Sequence, residues 1–92
     1  MASVQFDFYE LMDKLKSIPG LDFRMTEDSK PLTPYHAELE IIDPDGQVGI
    51  RVICDERNSG LVIHDKLYNE YPGLTTEEAL HFIFYSEEAE EE

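Results

Sequence analysis

The sequence predicts an α+β domain: an N-terminal helix, a three- to four-stranded antiparallel sheet in meander order, and a C-terminal helix followed by a disordered acidic tail. Three observations carry this. Apolar residues recur at helical spacing near each end of the 92-residue chain. Between them the apolar period drops to two. Turn-forming sequences (Pro19-Gly20, Asp43-Pro44-Asp45-Gly46, Asn58-Ser59-Gly60) separate the segments. The length suits one domain, 1–86, with 87–92 as a flexible tail.

The first helix is expected over about 8–18. Phe8, Leu11, Met12 and Leu15 fall at i, i+3, i+4 and i+7, with Ile18 one turn on. Asp7 and Glu10 have capping-box spacing, and Phe6 and Leu11 sit where a hydrophobic staple would close. Pro19-Gly20 stops the helix. Leu21, Phe23 and Met25 then alternate with Asp22, Arg24 and Thr26, which predicts a half-buried strand at one edge of the sheet. Residues 27–34, with two prolines, read as a polar loop.

Tyr35, Ala37, Leu39 and Ile41 share one face of the next strand, and His36, Glu38, Glu40 and Ile42 share the other. Val48, Ile50, Val52 and Cys54 share a face of its successor. Two hairpin registers compete. A three-residue loop with a glycine bulge pairs Asp43 with Gln47 and sets Leu39 opposite Arg51. A four-residue loop closed by Ile42 and Gln47 sets Ile41 opposite Val48, Leu39 opposite Ile50, Ala37 opposite Val52 and Glu38 opposite Arg51. A one-residue slip moves every side chain to the other face, so the apolar pattern selects the second. Gly46 supplies the left-handed position that this loop needs. Pairing Cys54 with Leu61 across the next turn brings Val52 to Ile63, Ile53 to Val62 and Arg51 to His64. Residues 66–73 read as a tyrosine-bearing loop. Thr75 to Glu78 forms a second capping box, with Leu74 set to staple against Ala79. The helix it starts, over about 76–86, carries Ala79, Leu80, Ile83 and Phe84 on one stripe. Glutamates beyond it oppose the helix dipole, so the tail frays.

Charge bounds the function. Acids outnumber bases 21 to 7, for a net charge of −14. Residues 1–34 carry a net −2 and residues 35–92 a net −12, so the imbalance lies on the C-terminal half. Such a field repels nucleic acid and anionic membranes and attracts basic surfaces. No apolar run approaches the ~20 residues of a membrane span, and no signal-peptide pattern opens the chain. One cysteine, Cys54, forms no intrachain disulfide. The expectation is a soluble protein of a reducing, cytoplasmic compartment.

Nothing in the pattern supports catalysis or a cofactor. Counted from Asp43, an EF-hand would need its glycine at the sixth position, which is Val48. His36, His64 and His81 with Cys54 lack zinc-ligand spacing. His64-Asp65 lacks a nucleophile, and there is no glycine-rich phosphate loop. The chain reads as a non-enzyme without catalytic, cofactor or metal residues.

The expected partner-binding residues are Glu38, Glu40, Asp43, Asp45, Ile53, Asp55, Glu56, Val62, Asp65 and Glu70. Glu38 and Glu40 project from one strand face about 7 Å apart, and Asp43 and Asp45 continue the line into the hairpin tip. Carboxylates at this interval resemble a row of phosphates, so a groove that reads a nucleic-acid backbone by charge and position would accept them. Ile53 and Val62 add an apolar contact within the acidic rim. Solvated strand charge that keeps sheets from pairing explains the same residues without a partner.

In size, charge and element order the chain resembles the small acidic α+β proteins that phages encode against host defence: anti-CRISPR proteins, anti-restriction DNA mimics and inhibitors of DNA-repair glycosylases. Bacterial immunity proteins that neutralise nuclease toxins are similar in size and charge. The resemblance rests on no diagnostic motif and assigns no residue. It implies an inhibitor of a basic nucleic-acid-binding enzyme, acting in the host cytoplasm without binding nucleic acid or membrane itself. The competing expectation is a non-catalytic adaptor or structural subunit of an intracellular complex, using the outer sheet face or the 66–74 loop.

Overall fold

A computed structural model describes residues 4–32 and 34–89. Helix α1 (Val4–Lys16) is followed by strands β1 (Asp22–Asp28), β2 (His36–Ile42), β3 (Val48–Asp55), β4 (Leu61–His64) and β5 (Glu70–Leu74), then helix α2 (Thr76–Ala89). The strands form one antiparallel sheet in sequence order, with β1 and β5 at its edges.

Both helices lie on one face of the sheet, α1 against β3 and β4 and α2 against β4 and β5. Phe8, Leu11 and Leu15 of α1 and Ala79 and Ile83 of α2 join Ala37, Leu39, Ile41, Ile50, Val52, Cys54, Leu61 and Ile63 in a single buried cluster. These are the positions that helical and period-two spacing select. Among the described residues, the opposite sheet face carries no helix.

Several boundaries differ from expectation. Helix α1 begins at Val4, so Asp7 and Glu10 lie inside it and cap nothing, and Phe6 is exposed rather than stapled. Turn bonds from Ser17 N to Lys14 O and from Ile18 N to Leu15 O close its end, and Gly20 (φ +81°) turns the chain into β1. The second capping box forms as predicted. The Glu78 amide donates to Thr75 Oγ1 (3.2 Å), and the Thr75 amide donates to Glu78 Oε1 (2.9 Å). Thr76 Oγ1 also donates to the Asp7 carbonyl (2.9 Å), which ties the start of α2 to α1. On α2, Phe82 rather than Phe84 packs inward, its ring 4.6 Å from that of Tyr71, while Phe84 is exposed. The helix runs to Ala89, past its expected end at 86 and into the segment assigned to a disordered tail; residues 90–92 lie outside the described residues.

The sheet has five strands. Residues 70–74, expected to be loop, pair with β4. Pro72 hid this strand, because proline lacks the ladder donor; an edge position tolerates it. The β3–β4 register is as predicted, with Arg51 opposite His64, Val52 opposite Ile63 and Ile53 opposite Val62.

The β2–β3 register is a correction. Asp43 N donates to Gln47 O (2.7 Å) and Gly46 N to Asp43 O (2.8 Å), so the three-residue loop forms, with Gly46 at φ +86°. Taken alone, that loop would turn the apolar side chains outward. A bulge at Gly49 reverses the effect. Ile42 pairs with Val48 but Ile41 with Ile50, so that Leu39 faces Val52 and Ala37 faces Cys54. Glu38 therefore stands opposite Ile53, and Arg51 opposite Glu40.

Candidate functional site

The helix-free sheet face gathers the charged residues. Its centre is Glu40, only 7% exposed. Arg24 of β1 donates from Nε (3.1 Å) to Glu40 Oε1 and Arg51 of β3 from Nε (3.1 Å) to Oε2. Burial favours the neutral acid, but the two guanidinium groups outweigh it and hold the Glu40 carboxyl below its usual range.

Beside it runs a second chain of bonds. His36 Nδ1 lies 2.8 Å from Asp55 Oδ2, and Nε2 lies 2.9 Å from Glu38 Oε2. A carboxylate only accepts, so these two contacts favour the protonated ring, which donates from both nitrogens. Glu38 first and Asp55 second raise the His36 pKa. Asp55 in turn accepts from Arg57 Nη2 (2.6 Å), Nε (2.9 Å) and backbone N (2.9 Å). These Arg57 contacts, with His36 after them, hold Asp55 well below the usual carboxylate range.

At the hairpin base, Asp43 is buried and its Oδ2 meets Lys66 Nζ at 2.7 Å. Asp65 organises the turn before β5. It accepts from the amides of Leu67 and Asn69 (2.9 Å each) and from the Tyr71 hydroxyl (3.2 Å). That turn holds Tyr68 at φ +64°, a left-handed conformation unusual for a bulky residue. It leaves Leu67 and Tyr68 80% and 76% exposed.

The ten residues expected at the site thus divide. Glu40, Asp43 and Asp55 are buried and bonded to the chain's own cations. Val62 is buried and Ile53 half-buried, side by side on β4 and β3. Asp45 is exposed at the hairpin tip, and Glu70 is exposed on β5, 3.5 Å from His64 Nε2. Glu56 is exposed, though its carboxylate accepts from the Tyr35 amide. Glu38 is half-buried against His36, and Asp65 serves its own turn.

The sequence reading missed Asp22, Glu27 and Asp28, all exposed on β1. Glu27 and Asp28 fall in the segment whose polar, proline-bearing sequence predicts a loop. It also missed the open groove between the helices, lined by Asp7, Glu10, Glu77 and Glu78. That groove required knowing that α1 and α2 pack together.

Cys54 is enclosed, and burial pushes its thiol up to about 12, which removes it as a nucleophile at neutral pH. No helix is long and apolar enough to cross a membrane among the described residues. Comparison with protein-family models, curated proteins and solved structures returns no match.

Proposed function

We propose that the protein is a non-catalytic acidic binder that occupies and blocks the cationic groove of a nucleic-acid-handling protein. One observation carries this reading: four cations on and around the outer sheet face, though their side chains are 41–70% exposed, are each paired with one of the molecule's own buried acids. Arg24, Arg51, Arg57 and Lys66 bond to Glu40, Asp55 and Asp43, which are themselves buried. The other acids of this face stand outside these four pairs, and most of them are exposed. On the open face and its rim these are Asp22, Glu27, Asp45, Glu56 and Glu70, with Glu38 half-exposed among them, while Asp28, paired with Ala37, turns to the helix side.

The inward-bonded acids and the outward ones have different roles in this reading. Glu40 and Asp55 fix the strands, and the exposed carboxylates meet the partner's Lys and Arg. Fixed anions on a sheet need little ordering on binding, and the net field speeds encounter in a salt-dependent way. The reading extends to inhibition of the anti-CRISPR or anti-restriction kind, which the class resemblance motivates.

The test is affinity capture from the native host on the immobilised protein, eluted by a salt gradient and, separately, by duplex DNA or RNA. Basic nucleic-acid enzymes that elute late in salt and early with competing nucleic acid support the reading. Glu38→Lys with Asp45→Lys should then release them. A captured complex indifferent to both reversals and to nucleic acid overturns it.

The exposed Leu67 and Tyr68, presented on a turn held by Asp65, favour a second reading as an adaptor that docks through this loop. An adaptor would tolerate the charge reversals and lose its partner on Leu67→Asp or Ile53→Asp.

A further inference from the structure

We infer that Glu27, His36 and Glu38 form a binding site for a divalent transition-metal ion, with Zn2+ its best-matched occupant. The site shares Glu27 and Glu38 with the acidic face described above but does not rest on the function proposed for that face. The sequence reading assigned no metal residues because the chain lacks the ligand spacings of zinc motifs. These three residues come instead from facing strands.

A carboxylate oxygen of Glu27, a ring nitrogen of His36 and a carboxylate oxygen of Glu38 all lie within 4.8 Å of one another. Donors around a tetrahedral zinc, each about 2.0–2.1 Å from the ion, stand roughly 3.3 Å apart. Small side-chain rotations therefore suffice to close the set. The group lies toward one end of the open face, with Glu27 exposed and the other two half-buried, so water or another donor can complete the shell.

Backbone geometry brings the ligands together in an unfavourable way. In the β1–β2 ladder Met25 faces Leu39, and a regular register would then set Thr26 opposite Glu38. A bulge between Met25 and Glu27 instead puts Glu27 directly opposite Glu38. Bulges re-aim side chains in this way. The result is a cross-strand pair of like charges, which weakens a sheet and which the single His36 ring beside it offsets only in part. A cation between the two carboxylates reverses the sign of that contact.

The imidazole is also oriented as a ligand. Nδ1 bonds to Asp55, leaving Nε2 directed at Glu38. A histidine that ligates through one nitrogen and donates the other N–H to a carboxylate is the common arrangement at zinc, and the carboxylate fixes the ring. Here Asp55 is itself fixed by Arg57. On coordination Nε2 gives its proton to solvent and its lone pair to the metal. One imidazole with two carboxylates suits Zn2+ better than Ca2+ or Mg2+, which take oxygen donors.

The test is calorimetric titration of the full chain with Zn2+ after treatment with chelator, together with the imidazole nitrogen resonances. The expected result is a saturable site of one ion per chain that shifts the Nε2 resonance of His36. Glu27→Gln should weaken binding at least about tenfold, while circular dichroism confirms an unchanged fold. Glu77→Gln, in the groove between the helices, should leave binding at this site unaltered. The inference is overturned if the wild-type chain shows no saturable binding up to 100 µM Zn2+. It is equally overturned if Glu27→Gln binds as the wild type does, since the ion then sits elsewhere among the acids.

Discussion

The Asp43 carboxylate lies against Gly49, where a Cβ on residue 49 would strike Asp43 Oδ1 and come within 3.1 Å of Cγ. The absent side chain lets Asp43 fold back over the bulge and reach Lys66. Gly49→Ala should force the carboxylate away and destabilise the protein by about 1–3 kcal/mol. Asp43→Ala in the same background should recover part of that loss. Urea unfolding of the two single variants and the double variant measures the coupling, and strict additivity would refute the contact's role.

Glu40 joins three strands through Arg24 and Arg51, so charge reversal there interrogates folding before it interrogates binding. Glu40→Ala leaves two guanidinium groups facing each other and should cost on the order of 1–3 kcal/mol. Glu38→Lys and Asp45→Lys should each perturb the urea midpoint less. An equal loss at all three positions would contradict the division between inward-bonded and outward acids.

Stability should decline at both ends of the pH scale. Asp55 and Glu40 have folded-state pKa values below those of the unfolded chain. Their contribution is present above the ordinary carboxylate range and is lost as pH falls through it toward the lower folded values. His36 has the opposite sign: its folded pKa is raised, so its contribution is complete below the ordinary imidazole value of about 6.5. That contribution is lost as pH rises through the higher folded value. Urea midpoints from pH 3 to 9 in the presence of chelator should show both limbs. Asp55→Asn should flatten both, since the substitution removes the acid and, although the amide oxygen can still accept, one of the two negative charges that raise His36.

Removing residues 87–92 deletes five glutamates. With a captured partner in hand, the truncated chain should associate more slowly and with weaker salt dependence, while the dissociation rate and most of the affinity persist. Loss of binding altogether would move the site from the sheet to the C-terminus.

The core was legible because burial acts on every residue of a periodic pattern at once. Phe8, Leu11 and Leu15, or Ala37, Leu39 and Ile41, leave one solution for which face turns inward. The β3–β4 register followed from the same alternation. The β2–β3 register did not, because two local events add: the loop shifts the pairing by one residue and the Gly49 bulge shifts it by one more in the same direction, so the faces agree while the partners differ. Parity shows only their sum. The N-terminal capping box failed for a related reason. Asp-x-x-Glu spacing is also compatible with a helix interior, and here the helix starts one turn earlier. Among the expected site residues, sequence located the carboxylates but not their partners. Whether Glu40 is a solvated charge or an internal strut depends on Arg24, sixteen residues away in sequence. The Glu27–His36–Glu38 group depends on a bulge that no residue type announces, although His36 and Glu38, two apart on one strand, were a visible half of it.

Pro72 on β5 and the Thr26 bulge with its flanking acids on β1 have a further consequence. Neither margin of the sheet offers a regular, unguarded row of amides and carbonyls to a foreign polypeptide. Extended peptides should therefore find no template for backbone annealing here, and whatever docks must do so through side chains on a surface already formed.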